Sequence, residues 1–245
     1  MTPPDLAYAI AVLLLAYFVR GISGFGSGLI AVPLLALRFP LPEVVPFMLI
    51  ADFGASALVG GLAFRQVDWP EIRRLLPATV VGVVIGTHLL VSLPPAWLLT
   101  ILGVFVLLFA LRSLLRKQHG FTHTSTRWAH PAALSGGAVS GLFGTGGPPY
   151  VIYLSHRIED KVSLRATLSA LFFLEGLLRI ATFLFAGLLL DHEVWRNALI
   201  AAPLIVAALY LGSHLHAQLT NRQMRQGVSL LLLSSGVSLL AKAWL

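Results

Sequence analysis

Two glycine-rich segments contain the residue types best suited to binding a small anion. The first, residues 21–28, reads GISGFGSG, and the second, residues 141–149, reads GLFGTGGPP. Each segment is expected to end one helix and start another. Free N–H groups and the positive dipole end at a helix start favour an anion. Ser27 and Thr145 are predicted to cap the new helices or to donate a hydroxyl to a ligand.

These segments and one intramembrane cation give the predicted substrate-binding set. It consists of Ser23, Gly24, Phe25, Gly26, Ser27, Gly28, Gly144, Thr145, Gly146, Gly147 and Arg179. The alternative is that the glycines only let helices pack closely, as small residues do in membranes. Two segments at equivalent places in the chain favour the binding site.

Charged residues inside apolar runs are the next candidates for chemistry. Asp52, Glu175 and Arg179 lie mid-run, where each charge costs about 2.5–3.5 kcal/mol on insertion scales. Asp52 has no basic neighbour nearby in the sequence, which makes it a candidate proton carrier. Glu175 is a second candidate. The alternative for Glu175 and Arg179, four residues apart, is a self-neutralising pair. Arg20 either adds positive potential to the first segment or, as we expect, snorkels to the interface.

Histidines are not predicted to take part in the chemistry. His88 and His214 occupy equivalent places near the ends of their runs, where a histidine usually caps a helix or bonds a carbonyl. His119, His123 and His130 show no ligand spacing. With no cysteine and no recognisable hydrolase, zinc or P-loop motif, the sequence predicts no metal, no cofactor and no catalytic residue.

The composition requires these residues to be positioned by membrane helices. Of the 245 residues, 57% are hydrophobic and only 11% charged, with a mean hydropathy of +0.86. A soluble domain carries about 25% charged residues, so a soluble enzyme and a disordered chain are both excluded. The basic residues behind the net charge of +7 lie between apolar runs. They are therefore interpreted as determinants of membrane orientation rather than as a nucleic-acid-binding surface. The first residues lack the basic region of a cleavable signal peptide.

Apolar runs long enough to span a bilayer are easily found. They are residues 44–64, 72–92, 95–114, 166–190, 197–217 and 226–245. Residues 5–39 and 129–156 are also apolar, but the glycine segments interrupt them. The pieces after the breaks reach only about half-way across a bilayer. Each region is predicted to be a broken, re-entrant-like helix pair, the alternative being two ordinary spans joined by a tight turn.

The two halves of the chain resemble each other. Phe25-Gly26-Ser27-Gly28 aligns with Phe143-Gly144-Thr145-Gly146 at an offset of 118 residues. Farther on, Gly61, Trp69, Pro77, Gly86, His88 and Leu89 align with Gly187, Trp195, Pro203, Gly212, His214 and Leu215 at an offset of 126. The pattern predicts an internal duplication.

The basic residues predict that the halves are inverted. If each broken pair returns to the side it entered from, 12 Lys and Arg residues share one side and only Arg38, Arg196 and Lys242 lie opposite. The predicted fold is an all-α polytopic integral membrane protein with two inverted repeats, each a broken pair plus three transmembrane helices. It forms one membrane domain, with repeat 1 at about 5–116, a cytoplasmic linker at about 117–128 and repeat 2 at about 129–245. Both termini are predicted to be extracytoplasmic.

The two glycine segments, the first followed by an apolar run with Pro33, resemble the two signatures of the TauE/SafE family of sulfite exporters. The resemblance covers essentially the whole chain. It implies a secondary transporter of the cell inner membrane for sulfite or an organosulfur anion such as a sulfonate, usually an exporter. Family members are usually described with seven or eight spans, whereas ten half or full helices are counted here.

The predicted function is therefore transport of a small anion between the two glycine segments, by alternating access. The expected partners are a small inorganic or organosulfur anion and the lipid bilayer, with no nucleic acid. A homo-oligomer is left open. The rival functions are an anion channel, which needs a continuous polar pore, and an intramembrane enzyme, which needs a nucleophile–base pair or metal cluster that the sequence does not show.

Overall fold

The computed structural model describes residues 3–23, 26–59, 66–115, 124–215 and 221–244. Every regular element in these residues is helical, which confirms the all-α class. The α-helices are α1 (Pro3–Ser23), α2 (Ser27–Leu35), α3 (Leu41–Val59), α4 (Trp69–Ser92), α5 (Pro95–Leu115), α6 (Ala129–Phe143), α7 (Gly147–Leu154), α8 (Lys161–Phe185), α9 (His192–Leu215) and α10 (Asn221–Trp244). A short 3₁₀ turn, Thr126–Trp128, precedes α6.

Six helices in the described residues are long and apolar enough to cross a membrane: α1, α4, α5, α8, α9 and α10. Five of these match predicted spans. The sixth, α1, belongs to the region predicted as a broken pair, and its 21 residues reach about 31 Å by themselves. The span predicted over 44–64 corresponds to α3, which is not among the six. Its predicted last residues, 60–64, lie outside the described residues.

The end of α8 differs from the prediction. The apolar run continues to residue 190, but the helix ends at Phe185. Gly187 adopts a left-handed conformation with φ of 79°, and the N–H of Leu188 donates to the carbonyl of Phe183 at 2.9 Å. This glycine-terminated end satisfies the last carbonyls of the helix, so local backbone chemistry stops α8 although hydrophobicity continues.

The chain divides into two compact units, and each takes helices from both halves of the sequence. The first unit comprises Met1–Asp52, Leu93–Lys117 and His192–Leu245, and the second comprises Phe53–Ser92 and Gln118–Asp191. The first unit therefore holds α1, α2, most of α3, α5, α9 and α10. The second holds the end of α3 with α4, α6, α7 and α8.

In the first unit, α2 runs back along α1. The Tyr8 hydroxyl donates to the carbonyl of Leu34 at 2.7 Å, and the Arg38 guanidinium pairs with Asp5 at 3.0 Å. Residues just after α2 thus lie beside the first turn of α1. The chain returns to the end of the unit at which it began.

Helices α5 and α10 pack antiparallel in the first unit. Trp97, near the start of α5, meets Trp244, near the end of α10, edge to face with ring centroids 6.1 Å apart. Near the opposite ends, the hydroxyl of Ser229 donates to that of Ser113 at 3.0 Å. Contacts at both ends fix the relative direction of the two helices.

The second unit contains a similar returning pair, α6 and α7. The N–H of Thr124, shortly before α6, donates to the carbonyl of His156, just after α7, at 3.2 Å. The Arg157 guanidinium donates to the Thr124 carbonyl at 3.0 Å. The chain again comes back to the end where the pair began.

Glycines bring helix backbones into direct contact within each unit. In the first unit α1 packs on α9, where a Cβ added to Gly21 would lie 2.9 Å from the Cα of Gly212. In the second unit α6 packs on α4, where a Cβ added to Gly82 would lie 2.8 Å from the backbone nitrogen of Ala138. Real Cβ atoms do not approach backbone this closely, so both pairings depend on glycine.

One end of the second unit is held by a buried carboxylate. Glu71 is 2% exposed and accepts hydrogen bonds from Arg157 at 2.8 Å, Arg74 at 2.7 Å and the Tyr153 hydroxyl at 2.8 Å. The hydrogen bonds to Glu71 raise the pKa of Arg157 above its usual value. The N–H of Asp68, at the start of α4, also donates to Thr167 of α8 at 2.9 Å. The starts of α4 and α8 and the end of α7 therefore share this end.

Candidate functional site

The first glycine segment is the break between α1 and α2. Gly26 immediately precedes α2 with φ of 96°, a conformation that favours glycine. Nothing lies within 4 Å of a Cβ added there, so backbone conformation rather than space requires glycine. Ser23 is the last residue of α1. Gly24 and Phe25 lie outside the described residues.

Four polar side chains meet at this break, and we call them the first quartet: Tyr17, Arg20, Ser27 and Asp52. A single oxygen of Asp52, Oδ1, accepts from Arg20 at 2.5 Å, from Ser27 at 2.7 Å and from Tyr17 at 2.8 Å. Arg20 also donates to the Ser27 hydroxyl oxygen at 3.1 Å. The quartet is a closed network centred on one carboxylate.

The first quartet bears on three expectations. Asp52 has no basic neighbour nearby in the sequence, but Arg20 reaches it from 32 residues earlier in the chain. Arg20 therefore does not snorkel to the interface; pairing within the protein removes the reason for it to do so. Ser27 does not cap α2, since Gly26 occupies the cap position and no side chain bonds there. Its hydroxyl is engaged with Asp52 instead.

The second glycine segment is the break between α6 and α7. Gly144 ends α6 with φ of 72°, and its N–H donates to the carbonyl of Ser140 at 2.7 Å. Helix α7 begins at Gly147 and continues through two prolines, as expected for the first helical positions. Gly146 rather than Thr145 occupies the cap position, without a side-chain bond. The predicted capping role of Thr145 is therefore wrong as well.

Thr145 stands out within this break. The residue is 6% exposed, yet its hydroxyl oxygen has no hydrogen-bond partner among the described residues. Leaving a buried hydroxyl unsatisfied costs about 1–3 kcal/mol, and buried polar groups are rarely left this way without a functional reason.

Arg179 of α8 lies directly against the break. A Cβ added to Gly144 would lie 2.8 Å from its Nη2 atom. The Cζ atom of Arg179 lies over the ring of Phe183, 5.4 Å from its centroid. Arg179 is 6% exposed. The structure thus brings together two predicted site residues, a glycine with left-handed backbone and a buried cation.

Glu175, one turn before Arg179 on α8, is 4% exposed. Its Oε1 accepts from the Tyr150 hydroxyl at 3.1 Å, and the same hydroxyl lies 3.1 Å from Thr79 Oγ1. Since a tyrosine has one hydroxyl proton, donation to Glu175 leaves Thr79 as the donor to Tyr150. Glu175 also interacts electrostatically with Arg179.

Glycine is required beside Glu175 for reasons of space. A Cβ added to Gly146 would lie 3.1 Å from Glu175 Oε1 and 2.6 Å from the Cβ of Ser140. Gly147 is less constrained, with only Phe172 in ordinary contact at 3.5 Å.

We call Thr145, Tyr150, Glu175 and Arg179 the second quartet.

The backbone donors of the two breaks also differ. The first four N–H groups of a helix lack partners within it. Helix α2 begins with Ser27-Gly28-Leu29-Ile30, which supplies all four, and Ser27 and Gly28 are buried. In α7, Pro148 and Pro149 supply none, so only Gly147 and Tyr150 remain.

Sequence reasoning missed both tyrosines and Thr79. Tyr17 lies three residues before Arg20, on the same helical face, and Tyr150 directly follows the two prolines. A polar aromatic residue inside an apolar run was the available signal. His214 behaves as expected, since its Nδ1 lies 2.9 Å from the Tyr210 carbonyl. No cluster suited to a metal ion occurs within the described ranges.

Comparison with known proteins identifies the class of molecule. The family model described as sulfite exporter TauE/SafE matches residues 9–239. This chain belongs to the TauE/SafE family. It is therefore a membrane transporter rather than an enzyme, and a multi-pass protein of the inner membrane.

Two curated relatives extend the comparison. The chain is 31% identical to the probable inner membrane transporter protein TsaS of Comamonas testosteroni over 199 residues, which cover 80% of this chain and 82% of TsaS. It is 28% identical to the probable sulfite/organosulfonate exporter TauE of Cupriavidus necator over 239 residues, covering 92% and 90% of the two chains. No solved structure matches the chain significantly.

Proposed function

We propose that this TauE/SafE protein is a secondary transporter, and specifically an exporter, of sulfite or a small organosulfonate. The support is the family match over most of the chain and a relative named as a sulfite/organosulfonate exporter. Sulfite and a sulfonate each present three acceptor oxygens around one sulfur atom. It needs a compact set of N–H, O–H and guanidinium donors.

The second break supplies such donors. The observation that carries the proposal is the buried hydroxyl of Thr145, which has no partner among the described residues. An anion oxygen accepting from this hydroxyl removes the penalty of leaving it unsatisfied. Arg179, beside Gly144, adds a charge-assisted bond. The N–H groups of Gly146 and Gly147, at the start of α7 just before the two prolines, complete the proposed contacts.

The first break, Ser23–Gly28, is proposed to contact anion mainly through its backbone. Its Ser27 hydroxyl is engaged with Asp52, but the start of α2 keeps all four N–H groups. The two breaks are thus assigned different donors, side-chain groups at the second and amides at the first.

Proton coupling is proposed at Glu175. It is a buried carboxylate with a hydroxyl chain through Tyr150 to Thr79, which is an arrangement suited to moving a proton. Asp52 is the weaker candidate, since its Oδ1 already accepts from Arg20, Ser27 and Tyr17.

For the architecture, we propose the two inverted repeats, 5–116 and 129–245, with each broken pair re-entrant. The internal geometry of each unit supports this. Helices α1 and α9 pair as α6 and α4 do, and in the repeat these are corresponding elements. Helices α5 and α10, the last of each repeat, run antiparallel, as an in-plane two-fold axis requires.

Reporter fusions test the topology. A reporter active only in the cytoplasm is expected to be silent after Leu245 and active near Gly120. Activity at both positions would instead require each broken pair to count as a single crossing.

Flux in proteoliposomes tests the function. Purified protein is expected to move sulfite or a small sulfonate with saturation, while sulfate and chloride at equal concentration compete weakly. A Thr145→Val variant at matched incorporation is the control for the site. Flux that rises linearly with anion concentration would indicate a channel, and no flux of any sulfur oxyanion would remove the substrate assignment.

A further inference from the structure

A second cationic site lies at the end of the second unit where Glu71 is buried. A shallow pocket of about 320 Å³ is lined there by Arg74, Thr126, Arg127, Ala129 and His130. Three of these five side chains, Arg74, Arg127 and His130, are basic. None of them belongs to either quartet, so the transport proposal does not use this pocket.

The pocket keeps an excess of positive charge. Glu71 is the carboxylate bonded to Arg74, and it is shared with Arg157. Asp68 accepts from the N–H of Glu71 at 3.1 Å and also interacts with Arg157, so these two carboxylates balance Arg74 and Arg157. Among the described residues, Arg127 makes no ion pair with any acidic side chain. An anion in the pocket would balance this charge.

Two tryptophans place the pocket at the level of lipid headgroups. Trp128, adjacent to Arg127, is 63% exposed, and Trp69, at the start of α4, is 38% exposed. Tryptophan is enriched at the membrane–water interface. Arg73 and Arg165, near the starts of α4 and α8, and Arg127, in the turn before α6, lie at this end of the unit, so the positive-inside rule assigns it to the cytoplasmic face.

We propose that the pocket formed by Arg74, Arg127 and His130 binds the phosphate of an anionic phospholipid headgroup from the cytoplasmic leaflet. Basic pockets on this face are known to hold such headgroups. The exposed tryptophans beside the pocket favour a lipid over free phosphate, because only a lipid brings an acyl chain for their rings to contact.

Lipid titration of the full-length protein in detergent tests the proposal, with bound lipid counted by native mass spectrometry. The probes are phosphatidylglycerol, phosphatidylcholine and inorganic phosphate. Phosphatidylglycerol is expected to bind more tightly than phosphatidylcholine. Arg127→Gln is expected to weaken it about fivefold, the effect of one basic residue near an anionic lipid. Arg165→Gln is the matched control, an exposed arginine at the same end but outside the pocket.

The outcomes are distinct. Weaker phosphatidylglycerol binding in Arg127→Gln alone supports the site. Equal weakening by both variants, or by neither, overturns it, since attraction would then be diffuse or absent. Inorganic phosphate bound as tightly as the lipid, and lost in Arg127→Gln, overturns the lipid assignment. Sulfite flux tests the transport proposal separately, because neither arginine belongs to a quartet.

Discussion

The two glycine breaks have the same kinds of side chain around them and use them differently. Each quartet contains a tyrosine, a carboxylate, an arginine and a hydroxyl residue. In the first quartet all three donors converge on Asp52. In the second quartet the Tyr150 hydroxyl donates to Glu175, and the Thr145 hydroxyl has no partner in the part of the chain that the structure describes.

The comparison teaches that the glycine motif alone does not define a binding site. Phe-Gly-Ser-Gly and Phe-Gly-Thr-Gly are nearly the same sequence, and both breaks contain a left-handed glycine. What differs is whether the nearby carboxylate satisfies the hydroxyl. A satisfied quartet stabilises its own unit, whereas an unsatisfied one has donor capacity for a ligand.

Valine at the two left-handed glycines gives the largest expected contrast. Gly144→Val should abolish measurable flux, because its side chain meets Arg179 and the left-handed backbone costs about 1–2 kcal/mol more. Gly26→Val meets nothing within 4 Å and should retain part of the flux. Flux at matched membrane expression measures both. Equal loss in the two variants would show that conformation alone matters.

The arginines should separate binding from stability. Arg179→Gln is expected to weaken anion binding about 10- to 100-fold, the effect of losing one charge-assisted bond. Arg20→Gln should mainly lower the unfolding temperature, by stranding Asp52, a group 22% exposed. Calorimetric titration and thermal unfolding measure the two quantities.

A double variant provides the control for Arg20. Combining Arg20→Gln with Asp52→Asn should recover part of the lost stability, because neither charge is then left alone. If Arg20→Gln weakens anion binding as much as Arg179→Gln at unchanged stability, the first quartet is a ligand site rather than a structural one.

The carboxylates should differ in coupling. Glu175→Gln keeps the shape of the side chain but cannot release a proton. Flux should therefore stop responding to an imposed pH gradient while equilibrium binding of the anion persists. Asp52→Asn should leave the response intact and reduce stability instead. Flux in proteoliposomes with and without the gradient measures this response. If Glu175→Gln keeps the response, another group must carry the coupled proton.

The hydroxyls give the smallest effects and the sharpest comparison. Thr145→Val is nearly isosteric and should weaken anion binding about 5- to 30-fold, equivalent to about 1–2 kcal/mol. It should raise rather than lower the stability of the ligand-free protein, because it removes a buried hydroxyl that has no partner among the described residues. Ser27→Ala should show the reverse, with near-normal affinity and about 1 kcal/mol less stability. Matching losses of affinity in both variants would make the two breaks equivalent.

Hydrophobicity and glycine placement were sufficient to predict most of the helices. They locate both breaks, because Gly26 and Gly144 need positive φ and Pro148 suits a helix start. They fail at the end of α8, where Gly187 stops the helix before the apolar run ends. They also do not show that α1 is long enough to span alone, because the helix continues through Gly21, the first residue of the glycine segment, to Ser23.

The sequence names many residues of the candidate site, but it indicates contacts only between residues that are close in the chain. Arg179 and Gly144 were both named, but nothing in the sequence shows that they touch. Arg20 and Asp52 lie 32 residues apart in the chain and on different helices. Whether they pair depends on how each helix is rotated about its own axis. The same holds for Tyr150, whose hydroxyl reaches α8. Periodicity cannot supply these choices when helices are apolar on nearly every face.

The ion pair of the first unit has a consequence for how the protein is made. Arg20 leaves the ribosome 32 residues before Asp52, a delay of about 2–6 s at ordinary rates of synthesis. During that time the last turn of α1 carries the Arg20 charge before Asp52 exists, at a cost below the ~2.5–3.5 kcal/mol of a helix-centre position. The full stability of α1 in the membrane is therefore reached only after α3 is made. A nascent chain cut before Asp52 should integrate less well than the same chain with Arg20→Leu.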